Sequence, residues 1–258
     1  MAIAGAVLGD ILGSSYEFKK DPKYLGGDIL TPRSRFTDDT VLSIAIKYAI
    51  LHKISFDEAL RKIGNEYIDV GYGGMFKKWL QDETLGPYES YGNGSAMRVS
   101  YIGECFDSLE DVMKWADKSA MPTHNSDEGI KGAVVTASCI WMAKNGYTKD
   151  EILNYACKEY PNSDYEYSCE KTLDELRSIH KWNATCQGSV PVAIRAVYEA
   201  DTYEQFIKNV LSIRCDTDTL CAIGGGIAEE LYGFGDIKAD KIIAEKLPLN
   251  LYKMLMER

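Results

Sequence analysis

The sequence predicts an all-α fold on two observations: apolar residues recur at helical spacing in one segment after another, and no convincing period-two alternation interrupts them. The first segment, roughly 2–12, is crowded with small residues (Ala2, Ala4, Gly5, Ala6, Gly9, with Gly13 just beyond). Glycine costs about 1 kcal/mol against alanine in an exposed helix, so this composition reads as a central helix closely approached by its neighbours. A second helix follows over 40–52, and a third over 56–68 places Phe56, Ala59, Leu60, Ile63, Tyr67 and Ile68 on one face. Further helices are expected over 109–118, 129–145, 149–160, 190–200 and 203–213. The segment 218–232 again carries Gly224, Gly225, Gly226 and Ala228, and 248–257 closes the chain.

Two segments read as loops. Tyr91-Gly92-Asn93-Gly94-Ser95-Ala96-Met97-Arg98 alternates small residues that would expose backbone N–H groups in a concave turn. Thr123-His124-Asn125-Ser126-Asp127-Glu128-Gly129 is a polar run that leads into an apolar helix. No internal repeat, low-complexity tract or linker-like stretch divides the chain, so residues 1–258 are expected to form one domain.

With 45% hydrophobic and 26% charged residues the chain has the composition of a folded protein. Acidic residues number 39 against 29 basic ones, a balance that repels a phosphate backbone and argues against non-specific nucleic-acid binding. No run of 18 or more apolar residues appears, and the N-terminus lacks a positively charged start, so neither a membrane span nor a secretory signal is expected and the cytoplasm is the default. Seven scattered cysteines, with no Cys-x-x-Cys, argue against a disulfide framework or a thiolate zinc site. Cys215 stands apart because it adjoins an acidic cluster.

That cluster is Asp216-Thr217-Asp218-Thr219, just before Leu220-Cys221-Ala222-Ile223; its counterpart is Thr37-Asp38-Asp39, just before Val41-Leu42-Ser43-Ile44. Both fall at helix N-termini, where Asp and Thr serve as caps and complement the helix dipole. Capping accounts for one acid per helix, yet each cluster has more side-chain oxygens than a cap can use. If the two starts converge, each like-charged pair at about 4 Å costs roughly 4 kcal/mol at an effective dielectric near 20, against about 0.3–1 kcal/mol returned by a dipole. Convergence therefore requires a cation. The donors are all hard oxygens, which favours Mg²⁺, Mn²⁺ or Ca²⁺ over zinc or copper, and four carboxylates could hold two ions. With only His52, His124 and His180, a histidine-rich metal site is excluded.

In these residues the chain resembles the ADP-ribosylglycohydrolases, the family that includes the dinitrogenase-reductase-activating glycohydrolases. Six landmarks occur in order: Gly5-Ala6-Val7-Leu8-Gly9-Asp10 with Gly13 and Glu17; Thr37-Asp38-Asp39-Thr40; Gly92 to Arg98; Thr123-His124; Gln187-Gly188-Ser189-Val190-Pro191; and Asp216 to Thr219 with Tyr232-Gly233. The resemblance implies an orthogonal helical bundle with two divalent ions, Mg²⁺ or Mn²⁺, at the base of a cleft. It implies hydrolysis of the glycosidic bond between ADP-ribose and a modified acceptor, so the expected partner is ADP-ribose or an ADP-ribosylated substrate. Carried over by position, Thr37, Asp38, Asp39, Asp216, Asp218 and Thr219 are the implied ligands, and Glu17, Asp38 and Asp218 the catalytic residues. Tyr91, Gly92, Asn93, Gly94, Ser95, Met97, His124, Gln187, Gly188 and Ser189 are the implied substrate contacts.

One departure stands out: many relatives carry two glycines directly before the second acidic cluster, where this chain has Arg214-Cys215. A bulky pair there predicts a narrowed cleft, a redirected turn or an added positive charge at the site. The rival reading is a non-catalytic ADP-ribose-binding protein on the same fold, which would be marked by loss of the acids or of Glu17. A diphosphate-binding isoprenoid enzyme fits poorly, because Asp38-Asp39 is followed by Thr40-Val41-Leu42 and not by the spacing Asp-Asp-x-x-Asp. A phosphohydrolase stays open, since oxygen-ligated metal pairs serve that chemistry too, and release of phosphate instead of ADP-ribose would mark it.

Overall fold

The computed structural model describes residues 2–17 and 28–258, which form fifteen helices and no strand. In chain order these are α1 (Ala2–Gly13), α2 (Asp38–His52), α3 (Phe56–Glu66), α4 (Gly74–Gln81), α5 (Gly94–Met97), α6 (Ser100–Cys105), α7 (Leu109–Ala120) and α8 (Asp127–Lys144). There follow α9 (Lys149–Glu159), α10 (Leu173–Ile179), α11 (Cys186–Tyr198), α12 (Tyr203–Leu211), α13 (Thr217–Tyr232), α14 (Ala239–Lys246) and α15 (Leu249–Met256). None of the described helices is long and apolar enough to cross a membrane.

Helix starts follow the capping chemistry of the sequence. Ser55, Ser108, Ser126, Thr185 and Thr202 each accept a hydrogen bond from the backbone N–H three residues on, and Thr148 and Thr172 complete capping boxes with Glu151 and Glu175. Helices α4, α6, α10 and α14 lie outside the segments expected from periodicity. Each has eight residues or fewer, too short for two turns of apolar repeat to stand out. The loop expected at 91–98 holds one helical turn, α5, closed by the N–H groups of Ala96 and Met97 donating to Asn93 O at 3.0 Å each. Helix α11 starts at Cys186 and not near 190, because Thr185 caps it and Pro191 is accommodated inside at the loss of one i to i−4 bond.

The centre of the molecule is α1, all twelve of whose residues are buried. It runs antiparallel to α13 in backbone contact: a Cβ at Gly9 would lie 2.1 Å from Cys221 O, and one at Gly13 would lie 2.5 Å from Thr217 O. Only glycine permits that approach. Its consequence is positional, since the last turn of α1, with Asp10, lies against the first turn of α13, with Asp216 and Asp218. Helix α2 packs on both, so three helix ends meet at one place.

Candidate active site

Asp10 lies on an otherwise apolar helix and is fully buried. Its carboxylate accepts hydrogen bonds from the N–H (2.8 Å) and hydroxyl (2.8 Å) of Thr37 and from the N–H (3.2 Å) and hydroxyl of Thr40. Four donors from one helical turn fix the start of α2 against α1. Thr37 caps α2 by accepting from Asp39 N–H, and its hydroxyl also reaches Asp39 Oδ2 at 3.2 Å. From the opposite side the Thr219 hydroxyl donates to the same Asp39 oxygen at 3.4 Å, joining α2 to α13. Asp216 stands at the N-cap of α13 but makes no capping bond. Its Oδ2 instead accepts from Asn93 Nδ2 at 2.9 Å, and the same amide donates to Ser189 Oγ at 3.0 Å.

The two remote acidic segments therefore converge. Carboxylate oxygens of Asp10, Asp39 and Asp218 lie within 4.8 Å of one another, as do those of Glu17, Asp216 and Asp218. Burial, reinforced by the neighbouring charges, pushes these acids upward: Asp10 to about 7 through desolvation and then Asp218, Glu17 to about 7 through desolvation and then Asp218, and Asp38 to about 8 through desolvation, Asp218 and Asp10. Asp39 and Asp216 are driven well above the ordinary range by the same causes. Asp39 Oδ1 is buried and finds no hydrogen-bond donor among the described residues, a cost a carboxylate does not bear without compensation. Hard oxygen donors, mutual repulsion and an orphaned carboxylate oxygen all fit a divalent cation.

Glu17, Asp38, Asp39, Asp216 and Asp218 line a cleft of about 460 Å³, with Asp10 buried behind them. One wall is the turn Gly92 to Gly94 with Met97 and Arg98 behind it; Gly71, Gly73, Gly74 and Met75 form another, and Trp182 and Ala184 a third. His124 faces the turn so closely that a Cβ at Gly94 would lie 3.2 Å from its Nε2. Burial, together with the Arg98 charge, holds this imidazole well below its ordinary pKa, and its Nδ1 shares a 2.7 Å hydrogen bond with Thr123 Oγ1. The ring is thus neutral at physiological pH and offers the cleft a flat face and one hydrogen-bonding nitrogen. Arg98 is fully buried, with Nη2 donating to Ser119 O and Thr123 Oγ1, and burial lowers its guanidinium to about 10.

The sequence profile of the family described as ADP-ribosylglycohydrolase matches residues 1–247. The chain belongs to the ADP-ribosylglycohydrolase family. It is 34% identical over 310 residues to ADP-ribosylhydrolase ARH3 of Homo sapiens, an alignment spanning 91% of this chain and 85% of the human protein. It is 23% identical over 264 residues to ADP-ribosylarginine hydrolase Tri1 of Pseudomonas putida (strain GB-1), spanning 90% of this chain and 70% of that one. A solved structure described as an ADP-ribosylglycohydrolase-related protein complex superposes with a TM-score of 0.72 at 21% identity, covering 99% of this chain and 96% of its own, which establishes the shared fold. Membership carries the reaction class: the chain is a hydrolase of ADP-ribose linkages.

Within this ADP-ribosylglycohydrolase, Glu17, Thr37, Asp38, Asp39, Asp216, Asp218 and Thr219 all line the cleft, together with Gly92, Asn93, Gly94, Met97 and His124. Tyr91, Ser95, Gln187, Gly188 and Ser189 are not among its lining residues. Ser95 is buried, its hydroxyl donating to Gly129 O at 2.6 Å, Gly188 O bonds His180 Nε2 at 2.9 Å, and Ser189 holds Asn93. Arg214 and Cys215 do not line the cleft either: Arg214 points to solvent and Cys215 is buried with its thiol toward Val210 O, so the added charge and the narrowing expected at this position are not found. Asp10, Tyr88, Arg98 and Trp182 escaped the sequence reading as site residues. A lone acid inside an otherwise apolar helix is the available signal for Asp10, and Arg98 ends the Gly92 to Arg98 motif; nothing local marks Tyr88 or Trp182.

Proposed function

We propose that the acidic floor holds two divalent cations, Mg²⁺ or Mn²⁺, and that the chain cleaves the glycosidic bond joining ADP-ribose to a modified acceptor. The orphaned, buried Oδ1 of Asp39, amid acids from three helices, is the observation that supports this most strongly. In this reading Thr37, Asp38, Asp39, Asp216, Asp218 and Thr219 are the ligands; a threonine hydroxyl that donates to a carboxylate keeps lone pairs for a cation. When bound, the ions supply the positive charge that offsets the carboxylates and polarises oxygens of the substrate.

The chain's own groups do the rest. Glu17 is half-buried at the edge of the cleft, with a carboxylate oxygen within 4.8 Å of those of Asp216 and Asp218, and is placed to take a proton from the attacking water and return it to the leaving group. Asp38 and Asp218 provide negative charge beside the oxocarbenium-like state through which glycosidic bonds break. In the turn above, Gly92 N–H is spent on Ser90 Oγ and Asn93 N–H on Ala184 O, which leaves the amide of Gly94 to meet the diphosphate or proximal ribose. Helices from both ends of the chain build the one site, which supports reading residues 1–258 as a single domain. Seven scattered cysteines with no Cys-x-x-Cys spacing fit residence in the reducing cytoplasm.

Incubation with a panel of labelled arginine-, serine-, nucleobase- and small-molecule-linked ADP-ribose is expected to release ADP-ribose from at least one member with Mg²⁺ or Mn²⁺ and from none after chelation. ADP-ribose binding by calorimetry, with no release from any member, would favour the non-catalytic alternative.

A further inference from the structure

Away from the cleft, Cys157 in α9 and Cys169, in the segment between α9 and α10, bring their sulfurs to 3.2 Å. An S–S bond of about 2.05 Å lies about 1.1 Å of approach away. The sulfurs are twelve positions apart, and other groups hold the geometry. Ser168 Oγ donates to Tyr160 O at 2.6 Å, folding the intervening segment back onto the end of α9, and Arg195 Nη1 donates to Cys169 O at 3.4 Å.

The two thiols are unequal. Cys157 is half-buried and meets solvent, whereas Cys169 is buried. The hydrogen bond shared by the two sulfurs pulls Cys157 below its ordinary range and drives Cys169 up, so that of the two the solvent-facing Cys157 is the more readily ionised. No other cysteine has this combination: Cys139, Cys186, Cys215 and Cys221 are buried, and burial pushes half-buried Cys105 up to about 12.

We propose that Cys157 and Cys169 form a peroxide-sensitive modification site, with Cys157 as the attacking sulfur and Cys169 as the resolving one. The Cys157 thiolate attacks one oxygen of hydrogen peroxide, the O–O bond breaks, and hydroxide leaves to give the sulfenic acid. The Cys169 sulfur then attacks that of Cys157, its proton passing to the departing hydroxyl, so that the S–O bond breaks and water leaves as the S–S bond forms. In sum, two thiols and one peroxide yield a disulfide and two waters; the sulfurs lose two electrons and the peroxide gains them. A dithiol reductant reverses the change. Transient disulfides of this kind are the form that a reducing compartment allows.

The test treats the reduced full-length chain with hydrogen peroxide, alkylates the remaining thiols after denaturation, and maps the digest by mass spectrometry. The expected product links the peptides of Cys157 and Cys169 with loss of two hydrogens in mass and leaves the other cysteines alkylatable, and dithiothreitol restores both thiols. In Cys169→Ser, dimedone is expected to trap Cys157 as the sulfenic acid, and in Cys157→Ser, Cys169 stays reduced. Oxidation of Cys105 ahead of Cys157, conversion of Cys157 to the sulfinic acid while Cys169 remains alkylatable, or no reaction at either cysteine would each overturn the proposal. Mapping of the unmutated chain decides the matter even where a variant fails to fold.

Discussion

Asp218→Asn is expected to lower turnover on the order of 10³-fold or more, and at the same time to make the metal-free protein more stable. The first effect follows because the proposed reading places the Asp218 charge beside the reacting centre, where its loss costs at least as much as removing one electrostatic donor from a preorganised site. The second follows from the pKa directions. Asp10, Glu17 and Asp38 are raised to about 7, 7 and 8, with Asp218 among the causes in each case. A carboxyl raised in the folded state binds more protons there than in the unfolded chain, so stability is greatest below an ordinary pKa near 4 and falls as pH rises through 7 to 8. Relieving one like-charged pair within 4.8 Å at pH 8 is worth roughly 3–4 kcal/mol at an effective dielectric near 20, or about 6–16 °C in Tm for a chain of this size. The isosteric amide keeps the oxygen that accepts Thr219 N–H at 3.0 Å, so the fold is retained. Thermal unfolding in chelator from pH 5 to 8 should show the wild type losing stability with pH and the variant losing less. A variant that is destabilised in chelator, or that turns over normally, would contradict the assignment.

Gly9→Ala is expected to be the most damaging glycine-to-alanine change among the described residues. The added Cβ would fall 2.1 Å from Cys221 O and 2.6 Å from Cys221 C, and both are backbone atoms of a buried helix that no rotamer can move aside. Helix propensity would gain about 1 kcal/mol, whereas overpacking of this severity costs at least about 3 kcal/mol, for a net fall in Tm of at least about 4–8 °C. Activity falls as well, since parting α1 from α13 separates Asp10 from Asp218, and a displacement near 1 Å in a positioned site costs on the order of 10²-fold. Gly86→Ala, where a Cβ meets nothing within 4 Å, is the matched control and should be neutral. Wild-type stability in Gly9→Ala would show that the two helices do not pack backbone to backbone.

What could be read from the sequence was whatever is encoded locally. Asp38-Asp39 and Asp216-Asp218 announce themselves as surplus acids at helix starts, and the cost of bringing them together predicts a cation wherever they meet. The glycines of α1 and α13 announce close approach but not the partner; the antiparallel register that pairs Gly9 with Cys221 is a tertiary fact. The role of Asp10 is not legible locally, because its four hydrogen bonds come from residues 27 and 30 positions away. Trp182 enters the cleft through a backbone pairing of distant loops, with Asn93 N–H donating to Ala184 O and Cys186 N–H to Tyr91 O at 2.9 Å each. Main-chain pairing of that sort leaves no side-chain signature. Ser189 and Gly188 show the converse: residues that the family resemblance assigns to the substrate, and that here bond Asn93 and His180.

The claim on which the rest depends is that the starts of α2 and α13 enclose divalent ions. Anomalous scattering from crystals grown with Mn²⁺, recorded at the manganese edge, tests it most directly. Two peaks among the carboxylates of Asp38, Asp39, Asp216 and Asp218, absent in crystals of Asp218→Asn, are the predicted result. Crystals of active protein with no manganese between residues 37–39 and 216–219 would contradict it.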